Sequence, residues 1–270
     1  MSRAKTTNRT RWNRDELLIV LNLYHKLRFG QFDQRQPAII DLSKKMGRTP
    51  SSVAMKLSNL ASLDPVLQLR GIKGLKGASN LDRAVWEEYH TNAVELVPQG
   101  QQLFESLFEE ENGDAVEVIP GKGIYRTKRA PEGETEKTVM TKQRRGQQYF
   151  REIVLNNYDG HCAVTNLPIR ELLIASHILP WSGHENERLN IRNGICLNRL
   201  HDAAFDQGLI AFDDQMCLLL SSRLHQALPS ASVVTSFAAY EGQTLSIPTD
   251  GIQPDLAFLA KHRKKFGFKK

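Results

Sequence analysis

Apolar residues recur every three or four positions through WNRDELLIVLNLYHKL, near the start of the chain. Leu17, Leu21, Tyr24 and Leu27 fall on one face, which is the spacing of an amphipathic helix. Asn13 stands where an N-cap belongs, and Glu16 three residues on completes a capping box. PAIIDLSKKMG reads as a second short helix, with Pro37 at its start and Gly47 at its end. TPSSVAMKLSNLASL reads as a third. Thr49 caps it, Pro50 suits its first turn, and Val53, Leu57 and Leu60 face inward. Ser52, Lys56 and Asn59 then take the outer face. Helix, glycine turn and helix make a helix-turn-helix outline. GIKGLKGASN follows as a loop, with Ser79 or Asn80 able to cap the next helix. The stretch to Glu111 continues helical, with a break expected near Pro98 and Gly100.

The pattern then changes. Residues 112–140, rich in Gly, Pro, Lys, Glu and Thr, read as a linker. KQRRGQQYFREIVLNNY is an amphipathic helix with Phe150, Val154 and Tyr158 on one side and Arg144, Arg145 and Arg151 open to phosphates. DGHCAVT reads as a turn into a short strand, and LIASHIL and NGICL as short strands. RLHDAAFD is a short helix, and LIAFDDQMCLLL a hairpin turning at Asp213 and Asp214. The expected fold is α+β: a mostly helical N-terminal domain over 1–111, a linker over 112–140, and a ββα-containing domain over 141–270.

Charge sharpens this division. Residues 1–83 hold 16 Lys and Arg against 6 Asp and Glu, residues 84–121 hold 0 against 9, and the rest hold 20 against 15. A basic N-terminal third points to a polyanion, most simply nucleic acid. Lys73 and Lys76 sit in a glycine loop whose backbone can approach a phosphate closely. The apolar runs are too short to span a membrane. MSRAKTTNRTR carries no apolar stretch, so no secretory signal is expected. Cysteines at 162, 196 and 217 show no CxxC pairing, which fits a reducing cytoplasm and gives no ligand set for structural zinc.

The chemistry concentrates at His177, Asn193 and His201. Strand, His, loop, strand with Asn-Gly, then helix with His is a ββα outline that sets two imidazoles across a groove. A neutral imidazole can take a proton from attacking water. A second can hold a divalent ion, Mg²⁺ or Mn²⁺, against a scissile phosphate. Asn193 either organises the loop or contributes to the metal. Arg170 and Arg192 either bind phosphate or form ion pairs.

At SHI around His177, NG at 193–194 and LHDAAFDQGLIAFD from 200, the chain resembles the HNH, or ββα-metal, endonucleases. The resemblance implies His177 as general base, Asn193 as the loop organiser and His201 as metal ligand. Many members carry an acid or a second His before the base; here that position is Ser176, so Asp202 or Asp206 would have to help. Cys162 and Cys196 then serve as buried packing residues.

WNRDELL through GRTPSSVAMKLSNLASLDP to RGIKGLKGASNLDRAVWEEY resembles the N-terminal domains of bacterial modification-dependent restriction enzymes, closest to sulfur-binding domains that read phosphorothioate DNA. The resemblance implies double-stranded, modified DNA as partner. A sulfur reader needs an apolar dimple flanked by cations. The GRTPSSVAMK turn offers Pro50, Val53 and Ala54 for the first, Arg48 and Lys56 for the second, and Thr49 and Ser51 at a helix N-terminus. Since one HNH site cuts one strand, a homodimer is expected. The rivals are a nuclease for methylated or hydroxymethylated cytosine and a non-catalytic DNA-binding protein with a degenerate site.

Overall fold

The computed structural model describes residues 11–108, 115–127 and 137–268. The helices of the N-terminal half are α1 (Arg14–Lys26), α2 (Pro37–Lys45), α3 (Pro50–Ala61), α4 (Pro65–Leu69), α5 (Asn80–Thr91) and α6 (Ala93–Ser106). The hairpin β1 (Ala115–Ile119) and β2 (Gly123–Thr127) leads to α7 (Lys137–Asn157). The last third holds β3 (Leu173–His177), β4 (Gly194–Asn198), α8 (Arg199–Asp206), β5 (Ile210–Phe212), β6 (Leu218–Leu220), α9 (Ser222–Gln226), α10 (Ala231–Ser236) and α11 (Leu256–Phe266). Helical bundle first and short antiparallel pairs later is the expected α+β arrangement.

Local sequence explains the helix starts. The Asn13 side chain accepts from the Glu16 N–H, and Glu16 returns the bond to the Asn13 N–H. Thr49 caps α3 by accepting from Ser52. Ser79 and Asp82 form the capping box of α5. The helical break falls at Asn92 rather than near Pro98, which lies inside α6. Pro98 forgoes one bond, to the Val94 carbonyl, and Val94 is exposed, where water can replace it. Gly100 is needed for contact: a Cβ there would come within 3.2 Å of the Leu18 carbonyl, so α6 lies close on α1.

α1 is the centre of the N-terminal bundle, with Leu17 to Leu23 buried. The same apolar core continues through Phe104, Val118, Phe150, Ile195 and Phe205 to Leu259. The two halves are therefore packed together. A buried polar seam joins them: Lys26 Nζ lies 3.1 Å from a Glu152 carboxylate oxygen and donates to Gln101 Oε1 at 2.8 Å. Asn156 Nδ2 donates to the carbonyls of Lys26 and Val118.

Part of the expected linker is structured. Within 112–140, Ala115–Ile119 pairs antiparallel with Gly123–Thr127, while 112–114 and 128–136 lie outside the described residues. Val116 and Val118 are buried, the Val118 N–H donates to Glu152, and the Ile124 N–H donates to Asp41. The hairpin thus bridges α2 and α7. DGHCAVT is turn and irregular chain and forms no strand; the Ala163 N–H bonds the Cys196 carbonyl of β4. The β5–β6 hairpin forms as expected, its turn held by Asp213 accepting from Gln215 and Cys217.

Several N-terminal cations are not where a phosphate could reach them. Lys56 is buried, not on the outer face, and its Nζ lies 2.8 and 2.9 Å from the two Asp82 oxygens. The pair ties α3 to α5. Arg48 bonds both Glu16 oxygens and stacks on Trp12 at 3.8 Å. Both assignments to DNA binding are corrected, because each side chain is committed to an acid within the fold. Lys56→Met should lower stability by about 3 kcal/mol, since it leaves Asp82 buried and unpaired. Urea denaturation measures the loss, and DNA affinity should stay within twofold when the folded fraction is kept constant. Thr49 and Ser51 are exposed and Pro50 half-buried at the start of α3, and Lys73 and Lys76 are exposed in their loop.

Candidate active site

β3 and β4 pair antiparallel, with His177 opposite Gly194 and Ser176 opposite Ile195. α8 follows β4 directly, capped by Asn198, which accepts from the His201 N–H. This is the ββα outline. α7 lies behind the hairpin, and its Phe150 ring stacks on His177 at 3.7 Å and 13°. Gly194 makes that approach possible: a Cβ there would collide with Val154 and Phe150 of α7. The glycine of the Asn-Gly pair is required by space, with an ordinary extended φ of −124°.

His177 is half-buried, and its Nε2 lies 3.0 Å from the Arg188 carbonyl. A carbonyl can only accept, so Nε2 carries the proton and Nδ1 keeps the lone pair. Burial pushes the imidazole below its ordinary pKa, with the Arg188 carbonyl opposing. The ring is therefore neutral and holds a basic nitrogen at neutral pH. A cavity of about 310 Å³ adjoins it, lined by Ser176, Trp181, Asp202, Asp206, His262 and Lys265 among others.

Asn193 is the organiser of the loop between the strands. It is wholly buried; its Oδ1 accepts from the Leu179 N–H, and its Nδ2 donates to the carbonyls of Leu179 and Glu187. Glu187 precedes Arg188, whose carbonyl holds His177. Asn193 is sealed from water and outside the lining of the His177 cavity, which favours the organising role over the metal alternative. Asn193→Ala leaves three backbone groups without partners. We expect a stability loss of about 3 kcal/mol, read by thermal unfolding, and a cleavage defect larger than unfolding explains.

His201 is placed elsewhere. Its Nδ1 is 3.0 Å from Asn198 Oδ1, and its ring packs against Phe237 and Tyr240 at 5.2 and 6.0 Å. Nε2 is buried without an aligned partner, beside the Ser236 backbone. Only 1 % of His201 is exposed, and it is not among the residues lining the His177 cavity. The expectation of two imidazoles across one groove is corrected: α8 turns its Asp202 and Asp206 side, one helical turn apart, toward β3.

Those carboxylates line the cavity beside His177. Lost water raises the Asp202 carboxyl, Asp206 adds to it, and the Ser176 hydroxyl and Arg199 oppose. Lost water also raises Asp206, against Lys265. His262 donates from Nε2 to the Phe205 carbonyl, so its Nδ1 lone pair is left buried without a partner. Burial holds that ring at about 4, hence neutral. Among the described residues no three His, Cys, Asp or Glu side chains gather into a complete metal cluster. Two carboxylates with positions left for water and phosphate is the donor set magnesium favours, so the residues fit such an ion. Sequence reasoning named Asp202 and Asp206 only as helpers and missed His262. The i, i+4 spacing of the two acids was the available signal.

The remaining cations are structural or peripheral. Arg151 donates to the carbonyls of Leu173 and Arg170 and is not open to phosphate, which corrects that reading. Arg170 pairs with Glu117 at 2.7 Å and Arg192 with Asp255 at 3.2 Å, the ion-pair alternative in both cases. Arg145 reaches Glu105 and Gln102 on α6, and Arg144 is exposed. Cys162 and Cys196 are buried, and burial pushes the Cys196 thiol up to about 12, so it packs as a neutral thiol. No described helix is long and apolar enough to cross a membrane. No curated protein matches the sequence. Residues 162–213, from Cys162 through the hairpin and α8 to Asp213, match the model of the HNH endonuclease family.

Proposed function

We propose that the protein is a divalent-metal-dependent DNA endonuclease of bacterial restriction, with His177 as general base. The observation that carries this is the His177 imidazole: neutral, fixed through Nε2, and beside a cavity walled by two acids and a lysine. His177 Nδ1 takes the proton of the attacking water. The Arg188 carbonyl and the Phe150 ring keep that nitrogen aimed. Asp202 and Asp206 would hold Mg²⁺ or Mn²⁺. When bound, such an ion supplies positive charge against the scissile phosphate and the leaving oxygen. Lys265 adds a cation on the same wall. Products would carry 5′-phosphate and 3′-hydroxyl ends, and double-strand breaks would need two copies of the chain.

Phosphorothioate DNA is the proposed target, resting on the resemblance of the N-terminal region. The exposed Thr49, Pro50 and Ser51 and the Lys73–Lys76 loop support it; the sequestered Arg48 and Lys56 do not. A methylated-cytosine reader gains support from an aromatic cavity described below. One plasmid, prepared with phosphorothioate linkages, with 5-methylcytosine, or with neither, and incubated in Mg²⁺ or Mn²⁺, separates these readings. Cutting of the sulfur-bearing plasmid alone supports the first target, and cutting of the methylated one alone replaces it. No cutting of any plasmid with either ion defeats the nuclease reading.

A further inference from the structure

A second cavity, of about 480 Å³, lies where the N-terminal bundle meets the nuclease unit. That size is typical of small-molecule sites, and well-packed cores leave few voids larger than a water. Its N-terminal wall is a set of rings. Trp86 and His90 lie 4.1 Å apart, His25 and Tyr89 are near-parallel at 5.5 Å and 9°, and Tyr24 meets Trp86 edge-on at 5.4 Å. Phe29 and Phe32 continue the wall and are only half-buried.

Among these apolar faces stand polar atoms that the fold does not satisfy. His25 Nε2 and Arg28 Nε are buried with no partner among the described residues. Buried nitrogens without partners are costly, and natural proteins rarely keep them except for a ligand or water. Flat apolar faces with a few hydrogen-bonding atoms at the edge are how proteins hold a planar heteroaromatic ring, including a base turned out of a duplex.

The opposite wall is the loop between β3 and β4. Leu189 and Asn190 face the cavity, while the Arg188 carbonyl between them and Glu187 accepts from His177 Nε2. The Glu187 carbonyl is held by Asn193. One short segment therefore forms the side of the cavity and the support of the general base.

We propose that this cavity receives a nucleobase-type heteroaromatic ring, and that its occupancy sets the position of His177 through residues 187–190. The binding half is independent of the nuclease reading; the coupling half deepens it. The ring has two sources, a base everted from DNA or a free nucleotide.

Calorimetric titration of the full chain with nucleoside 5′-monophosphates, including the 5-methylcytidine compound, tests the free source. Titration with matched duplexes and duplexes carrying one mismatched base, which everts at least cost, tests the other. Binding of either probe, weakened at least tenfold by Ala93→Phe, which fills the cavity, and by Trp86→Ala, supports the site and names its source. If no mononucleotide binds and the mismatch adds nothing, or if both variants bind as the parent does, the site is refuted. Circular dichroism confirms that the variants fold, and Ala93→Phe serves where Trp86→Ala does not. The coupling has its own readout in the ¹⁵N-imidazole resonances of His177, which should shift when the probe binds. An unmoved His177 signal with the probe bound overturns the coupling and leaves the site standing. Neither readout depends on cleavage.

Discussion

His177→Ala should slow single-turnover DNA cleavage by about 10²–10⁴-fold, the usual contribution of a positioned general base. The parent protein and variant should bind uncleaved DNA alike, because the imidazole bonds only the Arg188 carbonyl within the fold. The pH profile carries the same assignment. Burial lowers the His177 pKa below the ordinary value of 6.5, and the base works in its neutral form. The rate of the parent protein should therefore climb through a midpoint below 6.5 and be level above it. That acid limb should vanish in His177→Ala. A variant that is slower but keeps the same midpoint would show that another group titrates, and His177 would then be a structural residue of the hairpin.

The largest stability effect should come from the seam between the two halves. Lys26 and Glu152 are almost wholly buried, with side-chain exposures of 0 % and 2 %. Lys26→Met leaves Glu152 with the Val118 N–H but without its cation, and Glu152→Leu leaves the ammonium with Gln101 and Phe104 but without its carboxylate. Each should cost about 3–5 kcal/mol, as removal of one partner of a buried pair does. The double variant should recover much of that loss, because two apolar groups replace two paired charges. Guanidinium denaturation of the four proteins gives the cycle. Independent losses that simply add would show that the pair does not couple α1 to α7. Burial pushes the Glu152 carboxyl up while Lys26 opposes it, which is the competition the cycle measures.

Much of the fold was legible because short-range rules decided it. The caps at Asn13, Thr49 and Ser79 and the apolar faces of α1 and α3 follow from spacing alone. So does the β3–β4–α8 order that places His177 and Asn193; their proposed roles as base and brace rest on the resemblance. What stayed hidden depended on partners distant in sequence. Lys56 sat on a periodic outer face, yet Asp82, 26 residues on, draws it into the core. His201 looked equivalent to His177 until residues 236–240 covered it. The β1–β2 hairpin was readable in principle: AVEVI alternates and Pro120-Gly121 marks a turn, but the surrounding Lys, Glu and Thr hid it in a compositional reading. The aromatic cavity was invisible because Phe29 and Phe32 come from one segment and Trp86 from another, and they meet only in three dimensions.

The buried seam of Lys26, Gln101, Glu152 and Asn156 has a geometric consequence. Recognition modules joined to nucleases by a loose tether let the cutter sweep an arc, and the ends they leave scatter over many positions. Here the two halves share one core, so under the proposed function the reader and the cutter would work as a caliper. A feature gripped by the N-terminal helices would stand at one fixed span from His177, and the break would fall at a single offset along the duplex. Changing that offset would require recutting the seam itself, not lengthening a loop.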